Sequence, residues 1–109
     1  SARLAKRKGG FDLAMKFILR QLAKKKNRSA YFICNLAFKD KNGRIVSAEG
    51  RINGKISKNI LGKNGFGYDS IFIPANKSIT FGEMVKSKKI KMDHRFEAFK
   101  KLKKKIKTL

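Results

Sequence analysis

The chain has 109 residues, 41% of them hydrophobic, and its 29 Lys and Arg against 7 Asp and Glu give a formal net charge of +22. This length allows one domain, spanning 1–109, with one modest core. Such a charge attracts polyanions, namely nucleic acids, nucleotides and acidic membrane surfaces, and carries no information about the fold. Cys34 is the one cysteine, which excludes a disulfide framework and favours a reducing, cytoplasmic location. No apolar run approaches the roughly 20 residues of a membrane span, and no signal peptide is visible.

We predict an amphipathic helix near each end of the chain. After a break at Gly9-Gly10, apolar residues of the first helix recur at helical spacing: Phe11, Met15, Ile18 and Leu22. Asp93 is a good N-cap for the second helix. The apolar stripe of that helix comprises Phe96, Phe99, Leu102 and Ile106. Lysines occupy the other faces, so we expect each helix to pack its apolar stripe against the core.

Between these helices the sequence predicts a β-hairpin. The apolar and aromatic run at 31–38 is short enough to be a buried strand, and Cys34 within it is most simply a small core residue. Asn42-Gly43 between two extended runs is the strongest local hairpin signal. The return strand is therefore expected to run from Arg44 through Ile52.

The segment after the hairpin alternates between loops and short elements. A polar loop is predicted over 57–64, followed by a third strand at 71–73 that Pro74 ends. A short helical turn at 81–84 and a basic loop at 86–91 precede the last helix. We therefore expect an α/β fold with a strongly curved, mixed but largely antiparallel sheet, flanked by the N-terminal and the C-terminal helix.

An aromatic loop leads into the third strand. Its two rings, Phe66 and Tyr68, are separated by Gly67 and followed at once by Asp69. The glycines on both sides of Phe66 let the backbone adopt strained dihedrals and let another molecule approach closely. The loop is therefore a candidate seat for a flat ring. The alternative is a tight turn with two aromatic residues that fill the core.

Several chemical centres are excluded by what the sequence lacks. It has no Walker-type phosphate loop, and the glycines around Phe66 lack the third glycine and the helix of a dinucleotide fingerprint. One cysteine and one histidine cannot build a zinc site, and His94 has no convincing nucleophile as a partner in sequence. The acidic residues lie far apart along the chain, with no close pair to hold magnesium. The remaining interpretation is that the candidate residues of this chain form a binding site.

The start of the last helix carries groups that suit a nucleotide. If Asp93 caps this helix, His94 and Arg95 lie in its first turn, beside backbone N–H groups that suit an anion or a carbonyl. The Arg95 side chain can only donate hydrogen bonds. It can therefore bind an oxo group, whose oxygen accepts, and it rejects an amino group. A ring of the aromatic loop can stack a base, worth roughly 1–3 kcal/mol, and Lys89 can reach a phosphate. The alternative is that His94 and Arg95 are ordinary surface residues.

These stretches occur in the order and spacing of one family. Gly65-Phe66-Gly67-Tyr68-Asp69 is followed by Phe81-Gly82-Glu83-Met84, then by Lys89 and by His94-Arg95. The chain resembles the noncanonical purine nucleoside triphosphate pyrophosphatases, the inosine triphosphatase-like family. The segment 50–56 and the opening Ser1-Ala2-Arg3 are also similar to that family, so the resemblance covers essentially the whole chain.

The resemblance implies a magnesium-dependent enzyme, usually a homodimer, that cleaves inosine and xanthosine triphosphates to the monophosphate and pyrophosphate. The substrate-binding residues it implies are Phe66, Gly67, Tyr68, Asp69, Lys89, His94 and Arg95. A 6-keto purine accepts a hydrogen bond from Arg95, whereas adenine offers a donor there. The implied fold is a part of the inosine triphosphatase-like fold.

Three positions depart from the family pattern, and so does the extent of the chain. Ser70 stands where the family usually has proline, Asp93 where it has serine, and Leu61 where an arginine is common. The family's phosphate-binding loop and magnesium-holding acids belong to an N-terminal half, and this chain resembles the C-terminal portion. We therefore expect no catalytic or metal-binding residue in this chain, and a pairing with an N-terminal half or a homodimer.

Two other functions stay open at this point. One is a small basic RNA- or DNA-binding module that uses the lysine-rich helices and the aromatic loop, with steep salt dependence and no preference among free nucleotides. The other is a folded remnant without activity. The nucleotide hypothesis depends on Tyr68 and Arg95 facing a single purine-sized slot.

Overall fold

The protein is seen in a computed structural model that describes residues 2–109. Ser1, where the opening similarity to the family begins, lies outside the described residues. The elements in chain order are α1 (Ala2–Lys8), α2 (Phe11–Leu22), β1 (Ser29–Lys39), β2 (Ile45–Ile56), β3 (Phe72–Pro74), α3 (Lys86–Lys89) and α4 (His94–Ile106). No helix within 2–109 is both long enough and apolar enough to span a membrane.

The strands form one antiparallel sheet in the order β1-β2-β3. The turn between β1 and β2 is closed by Asp40, whose carboxylate accepts the backbone N–H groups of Asn42 and Arg44 at 2.9 and 2.8 Å. Between β2 and β3, Gly54 pairs with Pro74 and Ile56 with Phe72. The predicted α/β class with an antiparallel sheet is therefore confirmed, as is the hairpin.

The described residues form two compact units, which we call the first unit (2–30 and 54–86) and the second unit (31–53 and 87–109). Fully buried rings make the core of the first unit. Phe72 and Phe81 lie with their centroids 5.5 Å apart, and the Phe81 N–H donates to the Phe72 carbonyl at 2.9 Å. From α2, Ala14 and Met15 are buried.

The N-terminal helix α1 was not predicted, because its basic run reads as a solvated segment. Its residues are good helix formers, and Ala5 gives it one buried contact point. The chain turns back at Gly10, whose N–H donates to the Ala5 carbonyl at 2.8 Å. The helix is thus stabilised by its packing against α2, which composition alone does not indicate.

In the second unit, α4 packs on β2 through small residues. A Cβ at Gly50 would overlap the His94 carbonyl and the Ala98 N–H, so the backbones are nearly in contact. Ala98 and Leu102 are buried, whereas Phe99 is 56% exposed. The predicted apolar stripe is therefore wrong at Phe99, because only a small side chain fits where two backbones approach this closely.

Three boundaries and one burial pattern differ from those predicted, and the first difference is that β2 runs to Ile56, beyond the predicted Ile52. Lys86–Lys89 form the short helix α3 instead of a loop, and Ile71 belongs to a 3-10 turn, Asp69–Ile71, before β3 begins at Phe72. The strand at 31–38 forms as predicted but is not buried on both faces, since Tyr31 is 51% exposed and Cys34 is half-buried. Successive side chains of a strand point to opposite faces of the sheet, which explains why burial alternates along β1.

Candidate functional site

The aromatic loop of the first unit is held by Asp69. This residue is only 4% exposed, and its Oδ2 accepts the Phe66 N–H at 3.0 Å. The Asp69 N–H in turn donates to the Phe66 carbonyl at 3.2 Å. Gly65 has a φ of +75°, and a Cβ there would overlap the Asp69 carboxylate. The glycine is therefore required by the close approach of this carboxylate as well as by its backbone conformation.

The two rings of the loop have different environments. Phe66 is 58% exposed. Tyr68 is half-buried and meets Phe11 of α2 edge to face, with ring centroids 5.2 Å apart at 84°. Burial raises the pKa of the Tyr68 phenol above its usual 10.0. Tyr68 thus anchors the loop to α2 as a neutral phenol, while Phe66 presents its ring to solvent.

A cleft of about 570 Å³ lies beside the exposed ring. Phe66, Phe11 and Met15 supply apolar surface to it, and Lys63 and Asn64 supply polar groups. This volume falls in the range of small-molecule sites, roughly 300–1,000 Å³. The cleft is the place in the first unit where a flat ring can stack on Phe66.

Backbone and side-chain hydrogen bonds fix the walls of this cleft. The Ser70 hydroxyl donates to the Gly62 carbonyl at 2.8 Å, so the serine that replaces the family's proline makes a bond that proline cannot make. The Thr80 hydroxyl donates to the Leu61 carbonyl at 2.6 Å. The Asn64 amide donates to the Met84 carbonyl at 3.2 Å. The 81–84 turn, where the Met84 N–H donates to the Thr80 and Phe81 carbonyls, is therefore a support of the loop.

The start of α4 in the second unit has the predicted N-cap. Asp93 is buried, and its Oδ1 accepts the Phe96 N–H at 2.9 Å. Its Oδ2 lies 3.8 Å from the Lys89 Nζ, and both side chains are buried. The His94 ring meets Phe32 of β1 edge to face at 5.1 Å, and Arg95 is exposed. The aspartate in place of the family's serine thus caps the helix and also pairs with Lys89.

The site residues named from the sequence fall into two groups. The first unit contains Phe66, Gly67, Tyr68 and Asp69, and the second contains Lys89, His94 and Arg95. That the two groups face one purine stays a prediction. The sequence did not single out Phe11 or Asn64 as part of the cleft, and their only sequence signals were a helical stripe and a polar loop.

A metal site was not expected in this chain. Within residues 2–109, no three His, Cys, Asp or Glu side chains come together closely enough to hold a metal ion. Two carboxylates near the candidate site are instead used structurally, Asp69 by the loop and Asp93 by the helix cap, whereas Asp12 lines the cleft. The residues that the structure describes therefore offer magnesium no site built from protein side chains alone.

The structure is that of a mixed α/β protein with a candidate cleft for a flat ring. The chain belongs to the Ham1 family, whose family model matches residues 1–105. It is 43% identical over 105 residues to a dITP/XTP pyrophosphatase of Caulobacter vibrioides, covering 94% of this chain and 54% of the relative. It is 45% identical over 89 residues to a dITP/XTP pyrophosphatase of Borreliella burgdorferi (strain ZS7), covering 80% of this chain and 44% of the relative.

A solved structure of a Ham1 protein also superposes on this chain. The Ham1 protein of Staphylococcus aureus superposes with a TM-score of 0.83 at 25% identity, covering 91% of this chain and 52% of that one. The chain thus spans about half the length of the relatives it matches.

Proposed function

We propose that this chain supplies the base-recognition part of a pyrophosphatase that hydrolyses inosine and xanthosine triphosphates to the monophosphate and pyrophosphate. The observation that carries the proposal is the exposed Phe66 ring on a loop held by Asp69, at the edge of a cleft of about 570 Å³. The names of the relatives, dITP/XTP pyrophosphatase, support the substrate class.

Six of the seven predicted residues, all except Gly67, take a distinct part in this proposal. Phe66 stacks the base, which is worth roughly 1–3 kcal/mol, and Asp69 and Tyr68 hold the loop that presents it. Arg95 donates to the 6-keto oxygen, and so discriminates against adenine. His94 completes the substrate contacts. Lys89 contributes positive charge, which its pairing with Asp93 partly neutralises.

The proposal also includes groups beyond this chain. Magnesium is the expected metal, and when bound it would neutralise charge on the phosphates. We place its ligands in an N-terminal half, because the residues described here offer no cluster that could hold it. We further propose a cytoplasmic protein that acts as a homodimer or paired with such a half.

The test is nucleotide binding by the purified chain. We expect inosine triphosphate to bind more tightly than adenosine triphosphate, and Phe66→Ala to weaken the binding of inosine triphosphate by roughly 5- to 150-fold, the equivalent of one lost stacking contact. The matched control is Phe99→Ala, which removes an equally exposed phenylalanine from α4 and should leave the affinity unchanged.

The same preparation, mixed with the N-terminal half of a Ham1-family relative and magnesium, is expected to release pyrophosphate from inosine triphosphate. If no purine nucleotide binds even in that mixture, or if the two alanine variants behave alike, the proposal is wrong.

One observation favours nucleic-acid binding as the second candidate function. Tyr31 is 51% exposed on the β1 face, and the Arg51 guanidinium lies 3.7 Å from the centroid of its ring. An exposed ring with a stacked arginine is able to contact an unpaired base. This function would show a steep loss of affinity with salt and no preference among free nucleotides.

A further inference from the structure

A second cavity in the first unit is surrounded by cations. It has a volume of about 630 Å³ and lies where the chain leaves α2. Its charged lining comprises Lys24, Lys25, Lys26, Arg28 and Lys58, with Leu19 and Ala23 as the apolar part. None of these described lining residues is acidic, and none is shared with the cleft beside Phe66.

Arg28 makes the cavity a fixed feature. Its guanidinium donates to the carbonyls of Leu22 at 2.8 Å, Ile56 at 2.9 Å and Ser57 at 2.6 Å. The Ile56 N–H also donates back to the Arg28 carbonyl at 2.8 Å. These bonds tie the end of α2 to the segment that follows β2 and carries Lys58. The lysines therefore project from a framework that is already assembled before any ligand arrives.

The charges around this cavity lack local compensation. From 13 to 39 the sequence contains seven Lys and Arg and no Asp or Glu. Like charges held close together repel one another, and a bound polyanion removes that repulsion. The lining is thus better matched to an anion of high charge than to a single carboxylate.

We propose that this cavity is a binding site for an oligophosphate, an anion with several linked phosphate groups. Four of the five cations are lysines, which bind phosphate oxygens as point charges and require no fixed contact geometry. Of the described residues that line the cavity, none is aromatic, so a base has no ring to stack on. Recognition should therefore depend on the number and spacing of phosphates and be independent of any base.

The experiment compares two triple variants of the full chain. Lys24→Gln, Lys25→Gln and Lys26→Gln together remove three charges from the cavity. The matched control makes the same change at three exposed lysines of α4, namely Lys101, Lys103 and Lys104. The two variants have the same net charge, so any effect of the overall field is equal in both. Urea unfolding of each variant verifies that it is folded.

The probes are inorganic tripolyphosphate and an oligothymidylate of similar charge, titrated at low and at moderate salt. We expect the cavity variant to bind the preferred probe at least about 10-fold more weakly, and its salt slope for the oligothymidylate to fall by about 2, since three contacts each contribute about 0.7 for single strands. The control should change little. Equal losses in the two variants, or no binding of either probe by the parent chain, would overturn the proposal.

The two probes also identify the source of the phosphates. Tighter binding of tripolyphosphate indicates linked phosphoanhydrides, and tighter binding of the oligothymidylate indicates the backbone of a nucleic-acid strand; either result supports the site. Because the cavity has no preference for a base, the tighter binding of inosine triphosphate than of adenosine triphosphate should persist or increase in the cavity variant. This difference in affinity tests the cleft beside Phe66, so the two proposals fail independently.

Discussion

Replacing Asp69 by alanine should loosen the aromatic loop and weaken nucleotide binding together. The substitution removes a buried carboxylate that accepts the Phe66 N–H at 3.0 Å. Leaving such a donor without its acceptor costs roughly 1–3 kcal/mol. Because Phe66 itself is exposed and water can reach part of the loop, we expect about 1–2 kcal/mol.

This free energy has two measurable consequences. The melting temperature should fall by about 4–16 °C, at about 4–8 °C per kcal/mol for a domain of nearly this size. If the loop must re-form before a base can stack, its formation constant falls roughly 5- to 30-fold, which is the upper limit of the loss in affinity for inosine triphosphate. Circular dichroism during heating and a fluorescence titration give the two values.

Asp69→Asn is the matched control. The amide keeps an oxygen acceptor of the same shape, so both losses should be smaller than in Asp69→Ala. If Asp69→Ala melts within about 2 °C of the parent chain and binds inosine triphosphate equally well, the carboxylate does not hold the loop, and the reasoning is refuted.

Three further predictions concern α4, β2 and Tyr68. Asp93→Ala should lower the free energy of unfolding by more than the roughly 0.5–2 kcal/mol of a lost cap in a urea titration, because the Phe96 N–H loses its acceptor and the buried Lys89 loses its partner, whereas Asp93→Ser should restore the cap alone. Gly50→Ala should lower the free energy of unfolding by about 1–3 kcal/mol, because the new Cβ overlaps the α4 backbone. Lys55→Ala, on the exposed face of the same strand, should change this free energy little. Equal effects of the two substitutions would contradict the close packing of α4 on β2. The pKa of Tyr68 is raised by burial, so the folded state holds the phenol proton more tightly than the unfolded state does. Its contribution to stability is full below pH 10 and is lost as the pH rises through the folded pKa. Ultraviolet titration should show one phenol ionising above pH 10 that is absent in Tyr68→Phe.

Predictions of local structure were the most accurate. The first long helix has the predicted extent, Phe11–Leu22, and Asp93 caps the last helix as expected. The hairpin turn lies at Asn42-Gly43, and Asp40 closes it. Each of these features depends on residues within about four positions of one another, so its energetics can be inferred from the sequence.

The buried faces were predicted less accurately. The helical spacing of apolar residues in α4 predicted that Phe99 is buried, but Ala98 is buried and Phe99 is exposed. The helix α1 was overlooked because its stabilisation comes from contacts with α2. A pattern of apolar residues indicates that a helix has a buried face, and the shape of the opposing surface decides which residues occupy it.

The sequence by itself determined the family, the α/β class, the helix cap and the identity of an aromatic loop flanked by glycines, because these depend on residue type and short spacing. Only the tertiary structure showed that Phe11 supports Tyr68 and that the 61–64 and 80–84 segments are joined by hydrogen bonds. It also placed Lys58 beside the lysines that follow α2. These contacts join positions separated by up to tens of residues, and the packing of the whole first unit decides which of them form.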